Sequence, residues 1–573
     1  MQMKKTLPAL AAATLALSLC AASQAGETIE LSDGVKLDWR LTGTYTNSMR
    51  MSKPDPLLTS RVSNSGGNDG DSNFAYHANT ANRLALNFDA KVFRGDSGVV
   101  LSASSFYDAA YRRANDNNPA ANNPGGVNKP APFNEFTPEA KRYHGGYSRI
   151  LDAYGYTSVD TGSVGRLTLR GGRHVVSWGE ALFFPGISLA QGPADGTKTG
   201  VPGTETKDQL LPEDQISAIL EVNPNWSLMA HAQFNWQETL AAAPGSFMSA
   251  SDATGPGANC LGPYTAIPQV PPLFAGFNGC SFGVRGADIT PSKTGQWGLG
   301  TRVRISDDTE LGFYYLNYHD RTPLPEINAF TPGTAIPAPL QAAFGGIKQI
   351  GNGSYRIRYF DNIPLLGASF NTTVGAVAFA GELSHKRGAP ALVNTVVNPA
   401  TNATMPSPTR ADVTQLNLNA FYNAGRTPLA DSALLLGEIS YVKVGNVTAR
   451  KAPGAEAFPA NFGFGESDQL SFKTNRGLAI SGTLSLSYPG VFEGWDLGVP
   501  ISVSRQLKGR TILGGVGGEG DTRYALGATF TRHGNFSVGL TYQGFLGSPS
   551  LDLLTYRPFT DRNQLSLVMK YAL

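Results

Sequence analysis

The side chains of this sequence that are most able to do chemistry lie in one run between Arg166 and Glu180. Leu167 and Leu169 alternate there with polar residues, as in a β-strand that has one apolar face. The polar face of such a strand, continued beyond its end, collects Arg166, Arg170, His174 and Trp178, and Glu180 follows. Guanidinium, imidazole, indole and carboxylate groups can bind ions, hold protons and stack on rings. The run therefore predicts a polar surface that lines or narrows an internal passage.

Three apolar residues, Leu182, Phe183 and Phe184, follow this run in a segment that otherwise resembles a loop. Apolar clusters that face water on a folded protein usually have a use. We predict that this segment folds inward and lines or closes the passage. The alternative is that the three side chains pack against neighbouring loops or against the rim of a membrane.

Other arginines occupy the polar positions of further alternating stretches, namely Arg302, Arg304, Arg356 and Arg358. Together with the arginines of the first run, they predict a lining that tolerates anions. The alternative is that arginines and carboxylates on adjacent strands pair with each other, which stiffens the wall without selecting a solute.

Two strings resemble the nucleophile motifs of enzymes, but their surroundings do not fit. Residues 95–98 read Gly-Asp-Ser-Gly at a hairpin turn, where turn chemistry explains the composition. Residues 279–283 match G-x-S-x-G without the buried strand before it and the helix after it. The histidines show no metal-ligand spacing. We predict no catalytic residue, no metal and no cofactor, and hence a protein that is not an enzyme.

The positions of these residues depend on short alternating stretches that recur along most of the chain. One runs from Val35 to Tyr45, another from Leu84 to Val92, and the last ends at Leu573. The linkers alternate between short turns and long polar loops, as in membrane barrels with short periplasmic turns and long extracellular loops. We predict an all-β fold, a single transmembrane antiparallel β-barrel of about 18 strands, within a range of about 16–20.

The N-terminus has the anatomy of a secretory signal, with Lys4 and Lys5 before an apolar stretch and a small-x-small site ending at Ala25. We predict residues 1–25 as a signal peptide and residues 26–573 as a barrel domain in the outer membrane of a Gram-negative cell. Outer-membrane lipid and the barrel-assembly machinery are then expected partners. Export to an oxidising compartment makes Cys260 and Cys280 candidates for a disulfide.

The charge of the chain excludes one class of partner. It has 46 basic and 44 acidic side chains, so no surface that attracts polyanions is implied. We therefore expect no nucleic-acid partner.

Six motifs of the chain carry a resemblance to a known family. They are Asn68-Asp-Gly-Asp-Ser-Asn-Phe74, Asn82-Arg-Leu84, Arg173-His-Val-Val-Ser-Trp-Gly-Glu180, Pro202-Gly203 followed by Lys207, Ala380-Gly-Glu-Leu-Ser384 and Asp561-Arg-Asn-Gln-Leu-Ser-Leu567. Together they resemble the DUF1302 family of proteobacterial outer-membrane barrels over the whole mature chain. The resemblance implies export and a barrel fold, and more loosely the handling of hydrophobic, steroid-like or fatty-acid-like compounds. One departure is the terminal Leu573, where barrels usually end in Phe.

These observations predict a channel or porin-like protein for the passive passage of small organic solutes, hydrophobic or anionic in character. The alternative is a structural or partner-binding barrel that associates with periplasmic or efflux-system proteins. A barrel enzyme that hydrolyses lipids is the third hypothesis. Conductance, pull-down and lipid hydrolysis respectively would separate the three.

Overall fold

Eighteen antiparallel strands form one closed sheet. The computed structural model describes residues 28–60, 63–64, 66–118, 132–261, 283–330, 334–335, 338–341, 349–350 and 353–573. Each strand of the barrel pairs with the next one along the chain, and the last pairs with the first. The predicted all-β single barrel of 18 strands is therefore confirmed.

The barrel strands, numbered in chain order, are β1 (Val35–Arg50), β2 (Asn79–Arg94), β3 (Ser97–Asp108), β4 (Gly146–Asp160), β5 (Arg166–His174), β6 (Glu213–Asn223), β7 (Trp226–Gln233), β8 (Trp297–Ser306), β9 (Thr309–Tyr318), β10 (Ile363–Val374), β11 (Val377–Asn398), β12 (Ala403–Gly425), β13 (Ser432–Gly445), β14 (Arg476–Phe492), β15 (Trp495–Gly509), β16 (Thr522–Arg532), β17 (Phe536–Leu546) and β18 (Gln564–Ala572).

Alternation along each strand separates a lipid-facing surface from an internal one. In β1, the inward side chains of Thr42, Thr44 and Thr46 are buried, whereas the outward ring of Tyr45 is partly exposed. The outward Leu84 of β2 is 54% exposed. A barrel in lipid needs an apolar exterior because the hydrocarbon offers no partner for polar groups.

The two ends of the barrel differ in the length of their connections. At one end, tight turns join β2 to β3 after Arg94 and β8 to β9 after Ser306. At the other end, long connections join β5 to β6 and β7 to β8. Membrane barrels place short turns on the periplasmic side and long loops on the outer side. The predicted asymmetry of turns and loops is confirmed.

The prediction that Arg356 and Arg358 lie on the barrel wall is wrong. They belong to a short strand, Ser354–Arg358, of a separate four-stranded sheet in the long-loop region, whose other strands are Leu324–Asn328, Gly283–Arg285 and Cys260–Leu261. A strand needs about 9–11 residues to cross a membrane, and this one has 5. Its alternation resembles that of a barrel strand, but its length does not.

The remaining elements are short. They are the strands Ile29–Ser32, Thr334–Ala335 and Gln349–Ile350, the α-helices Pro56–Thr59, Asp69–Ser72, Pro138–Tyr143, Thr206–Gln209 and Ala338–Gln341, and the 3-10 helices Ala109–Tyr111, Gly162–Val164, Ser188–Ala190, Gly196–Lys198, Ala455–Ala457 and Ala460–Phe462. No helix within the described ranges combines the length and the apolar character needed to cross a membrane. The predicted signal peptide lies outside the described residues, as does Cys280; Cys260 is disulfide-bonded.

Candidate functional site

The connection between β5 and β6, residues 175–212, runs inside the barrel, and we name it the lumen loop. Its first arm, residues 178–191, is hydrogen-bonded to β11, β12 and β13. Its second arm, residues 198–209, is bonded to β1, β2 and β18. Because the loop touches well-separated arcs of the wall, it obstructs a large part of the lumen.

Glu382 of β11 anchors the first arm through backbone N–H groups. Its Oε2 accepts hydrogen bonds from the N–H groups of Glu180 at 2.8 Å and Ala181 at 3.2 Å. Its Oε1 accepts from the N–H of Ile187 at 3.1 Å and from Nδ2 of Asn417 at 3.2 Å. The side chain of Glu382 is almost fully buried. Charge-assisted bonds in such a water-excluded place are the strong class of hydrogen bond.

Two glycines allow this carboxylate to come so close to the backbone. A Cβ added to Gly179 would lie 2.2 Å from Oε2 of Glu382, and one added to Gly186 would lie 2.2 Å from Oε1. Gly179 also has a φ of +93°, which a residue with a side chain rarely adopts. A side chain at either position would therefore displace the carboxylate.

Glu438 of β13 is the second anchor. Its Oε2 accepts hydrogen bonds from the N–H groups of Leu182 and Phe183, both at 2.7 Å. Its Oε1 has no hydrogen-bond partner among the described residues. We name Glu382 and Glu438 the latch carboxylates, since together they hold the backbone of the first arm from residue 180 to residue 187.

Amide side chains of β12 bind the carbonyl groups of the same arm. Nδ2 of Asn417 and Nε2 of Gln415 donate to the carbonyl of Phe184 at 2.7 and 3.0 Å. Nδ2 of Asn419 donates to the carbonyl of Glu180 at 2.7 Å. Of the apolar residues in the arm, Phe184 is 4% exposed and Leu182 is 52% exposed. The arm thus buries one apolar face against the wall and turns another toward the lumen.

Trp178 fills a hollow made by two glycines of β8. A Cβ at Gly298 would lie 3.0 Å, and one at Gly300 3.5 Å, from the indole ring. The ring of His231 meets the indole edge-on at a centroid distance of 4.9 Å, and that of Tyr314 stacks at 5.9 Å. Aromatic pairs of this kind stabilise the position of a ring beyond the area it buries. Trp178 is therefore a fixed wedge between the arm and the wall.

Glu180 faces the passage beside Arg302. Its Oε1 accepts a long hydrogen bond, 3.4 Å, from Nδ2 of Asn371. Burial raises the pKa of the Glu180 carboxyl above its usual range, and the positive charge of Arg302 partly opposes that shift. The Glu180 carboxyl, which belongs to the docked arm, thus lies within electrostatic range of the Arg302 guanidinium on the wall.

The second arm is held by ion pairs. Nζ of Lys207 lies 2.5 Å from Asp89, and Nζ of Lys570 pairs with Glu205. Nζ of Lys198 lies 3.7 Å from Asp208. Burial, followed by repulsion from a nearby arginine, lowers the pKa of Lys198 to about 7. The second arm therefore adds charged contacts where the first arm uses backbone bonds.

Two cavities lead from the short-turn end toward the lumen loop. The lower one, of about 590 Å³, is lined by Arg166, Arg302 and Arg304 together with Asp160, Glu221 and Glu310. The upper one, of about 360 Å³, is lined by Arg170, Trp178 and again Arg302. Arg302 therefore borders both cavities. The lower cavity carries as many carboxylates as arginines, which is the cross-strand pairing that we weighed as the alternative to an anion-tolerant lining.

Four adjacent strands present an inner wall of small residues, which we name the small-residue wall. Its members, placed by the strand register, are Ser481, Thr483 and Ser485 of β14, Ser502 and Ser504 of β15, Ala525, Gly527 and Thr529 of β16, and Gly539 and Thr541 of β17. Within the described part of the chain, no side-chain hydrogen bond or ion pair joins this wall to the lumen loop. The wall thus borders the side of the lumen that the loop leaves free.

A family model described as "Protein of unknown function (DUF1302)" matches residues 6–573. The chain belongs to this family. The match spans nearly the whole sequence and agrees with the resemblance carried by the six motifs. No curated protein matches the chain of this DUF1302 protein.

Several solved structures share the barrel at low similarity. Acinetobacter baumannii OccAB1 is 9% identical with a TM-score of 0.42, covering 96% of this chain and 99% of that one. Acinetobacter baumannii OccAB2 is 10% identical with a TM-score of 0.39, covering 94% and 98%. Pseudomonas aeruginosa OpdK, solved with vanillate, is 11% identical with a TM-score of 0.37, covering 94% and 98%. Similarity at this level carries no argument about function.

The structure separates the remaining sequence-predicted residues of this DUF1302 protein into two groups. His174 is the last residue of β5, at the end that leads into the lumen loop. Its Nε2 lies 2.8 Å from the hydroxyl of Ser217. Arg166 reaches the turn after β2 and pairs with Asp96 at 2.6 Å. Arg356 and Arg358 are elsewhere, around the carboxylate of Glu326 in the outer sheet.

The sequence analysis includes Glu382 in the Ala380–Ser384 motif of the family resemblance, but it assigns no role to either latch carboxylate. The further signal for both in the sequence is an acidic residue at an inward position of an alternating strand. In the described ranges, no group of three or more His, Cys, Asp or Glu side chains could hold a metal ion. The contacts that hold the lumen loop to the wall are hydrogen bonds and ion pairs.

Proposed function

We propose that this DUF1302 protein is an outer-membrane channel for the passive passage of small organic compounds, with the lumen loop as its constriction. The observation that carries the proposal is the pair of latch carboxylates, which fixes the first arm across the lumen while the small-residue wall stays uncovered. A loop that only closed a structural barrel would have no need to leave one arc of the wall free.

The location follows from the exterior of the barrel. Large apolar side chains such as Leu366 of β10 and Leu435 of β13 are at least half exposed on the outward faces of their strands. Closed barrels are the one strand architecture that satisfies every backbone group in lipid. The predicted export signal is consistent with delivery to the outer membrane.

Passage is proposed to run from the outer loops past the first arm and along the small-residue wall to the cavities near the short turns. Arg170, Arg302, Trp178 and Glu180 line or border its narrow part. The balanced charges of the lower cavity give that mouth little preference for either sign. Selection is therefore assigned to the upper cavity, which is lined by Arg170 and Arg302 and by no carboxylate of the described residues.

The inner wall also favours solutes with a hydrocarbon part. Inward side chains of β9 to β13 form an apolar cluster inside the barrel that includes Leu316, Leu365, Val413 and Val444. Channels for hydrophilic solutes usually have polar interiors. An apolar region against the inner wall supports passage of compounds that are hydrophobic or amphipathic.

Single-channel recording in planar bilayers tests this function. The wild-type protein should give steady conductance steps, and a variant that lacks residues 181–190 should give larger steps because the constriction is gone. A variant that lacks residues 399–402, at the exposed tip between β11 and β12, is the control for shortening a loop and should conduct like the wild type. Folded wild-type and deletion proteins that both stay silent would refute the channel.

A further inference from the structure

Lys386 of β11 is a buried cation that nothing in its surroundings explains. Its side chain is 0% exposed, and its Nζ has no hydrogen-bond acceptor among the described residues. No carboxylate oxygen of a described residue lies within 4.0 Å of this Nζ, which is the limit for an ion pair. Burying an unpaired ammonium is among the most costly arrangements in a protein. A buried polar group without a partner calls for an explanation, such as a functional role or a bound ion.

The strand register places Lys386 in the middle of an apolar row. Leu316, Leu365, Lys386, Val413 and Val444 follow one another on adjacent strands from β9 to β13. The four aliphatic residues of the row are all buried and belong to the internal apolar cluster. The ammonium is therefore the single charged group of a hydrocarbon surface on the inner wall.

This surface lies beneath the first arm of the lumen loop. A Cβ added to Gly367 would meet Cδ1 of Ile187 at 2.8 Å and Leu365 at 3.5 Å, so the Ile187 side chain packs on the strand next to Lys386. On the other side, Gly514 packs against Val442 in the same way, in the connection between β15 and β16. The first arm and the connection between β15 and β16 must therefore both move before a solute from the lumen can reach Nζ of Lys386.

The carboxylates nearest to Lys386 are engaged elsewhere. Glu382, on the same face of β11, binds the backbone of the first arm. Asp320 accepts hydrogen bonds from the N–H and hydroxyl of Thr322. A second donor of the same apolar cluster, the hydroxyl of Tyr318, is buried and also has no partner in the described part of the chain. Nζ of Lys386 and the hydroxyl of Tyr318 are thus two buried donors of this region that have no acceptor among the described residues.

We propose that Lys386 is the carboxylate-binding site for an amphipathic monocarboxylate, whose hydrocarbon part takes the place of the first arm on the apolar row. The inference rests on the proposed channel function and names the solute class of that channel. A lysine is a compact point charge, which suits one carboxylate better than a bidentate anion. The solute and the docked arm occupy the same space, so binding of the solute releases the arm.

Isothermal titration of the protein in lipid nanodiscs with octanoate tests the proposal, with 1-octanol as the uncharged probe. The wild type should bind octanoate, and Lys386→Met should weaken that binding at least about tenfold while leaving 1-octanol binding unchanged. Lys91→Met removes another inward lysine, one that lies over the rings of Phe93 and Tyr156, and should bind octanoate like the wild type. Equal octanoate affinity for Lys386→Met and wild type overturns the proposal.

Two further measurements test the stability of the Lys386→Met variant and the release of the first arm by octanoate. Lys386→Met should raise the midpoint of thermal unfolding because it removes a buried unpaired charge, so a lowered midpoint would contradict the reasoning. Amide hydrogen exchange at residues 180–187 should speed up when octanoate is added to the wild type and not to Lys386→Met.

The outcomes for the Lys386 site and for the channel are distinguishable. If the wild type conducts but does not bind octanoate, the proposed Lys386 site is refuted and the proposed channel stands. If the wild type binds octanoate through Lys386 but never conducts, the proposed channel is refuted and the proposed site stands.

Discussion

Replacing each latch carboxylate by its neutral amide should release the first arm to very different extents. Glu438 uses only Oε2 as an acceptor, so in Glu438→Gln the amide oxygen can keep both backbone bonds. The loss is the charge assistance of two bonds, about 2 kcal/mol. Glu382 uses both oxygens, so in Glu382→Gln the amide NH₂ must face two donors in either orientation. Of the three bonds to the arm, at least one is then lost and the others are weakened, which costs the docked arm about 4 kcal/mol.

These free energies translate into populations of the released arm. At about 1.4 kcal/mol per factor of ten, release becomes about 30-fold more frequent in Glu438→Gln and about a thousand-fold more frequent in Glu382→Gln. Hydrogen exchange followed by mass spectrometry should show the difference as faster exchange at residues 180–187, and single-channel recording as more frequent large openings. Glu310→Gln is the matched control, because Glu310 also faces the lumen but lies near Arg302, at 3.8 Å, and not on the arm.

The difference in arm release between Glu438→Gln and Glu382→Gln is the result that tests this reasoning. If Glu438→Gln releases the arm as much as Glu382→Gln, the bonds do not carry the docking in the way that the geometry indicates. If neither variant changes exchange at residues 180–187, packing alone holds the arm and the latch assignment is wrong.

Three further predictions follow from contacts near the lumen. Nε2 of His144 accepts the N–H of Ala243 at 3.1 Å, and burial lowers the pKa of His144 to about 3, below its ordinary value of 6.5. The unfolded chain then binds the proton first, so the free energy of unfolding should fall by up to about 1.4 kcal/mol per unit as pH drops from about 6.5 toward 3, and His144→Gln should flatten that slope in thermal unfolding. Gly186→Ala should release the arm, since its Cβ would lie 2.2 Å from a latch carboxylate, whereas Gly66→Ala, in open space, should not; equal exchange rates at residues 180–187 would contradict this. Arg302→Gln should lower the anion-to-cation permeability ratio, seen as a shift of the reversal potential in a salt gradient, and an unchanged potential would exclude Arg302 from selection.

The barrel could be predicted from sequence because its signal is local and repeated. The turns after Arg94 and after Ser306 stand in the sequence as short polar breaks between two alternating stretches. One residue of slip would exchange the inner and outer faces, so alternation fixes the direction of every side chain once a strand is placed. Arg356 and Arg358 show the limit, because five alternating residues look the same in a loop sheet as in a wall.

Strand alternation and the apolar composition of Leu182–Phe184 made part of the candidate site predictable, but not the contacts between distant segments. Arg166, Arg170 and His174 share the inner face of β5 because they stand an even number of residues apart. Trp178 lies beyond the end of that strand, and its place depends on glycines of β8 that are more than a hundred residues away. Glu382 meets the N–H of Glu180 across 202 residues of sequence. Contacts of this separation leave no periodic pattern in a single sequence.

The latch carboxylate Glu382 and the buried Lys386 stand four residues apart on one face of β11, and they act on the first arm in opposite directions. Glu382 stabilises the docked arm through backbone bonds that do not depend on which side chains the arm carries. Lys386 destabilises it, because docking covers an ammonium that no described group neutralises. The Glu382 bonds keep the arm docked, whereas the buried Lys386 charge lowers the free energy that a ligand must supply to release it. The solute need only supply the carboxylate that Lys386 lacks, since the differential affinity for the two states is what shifts such an equilibrium.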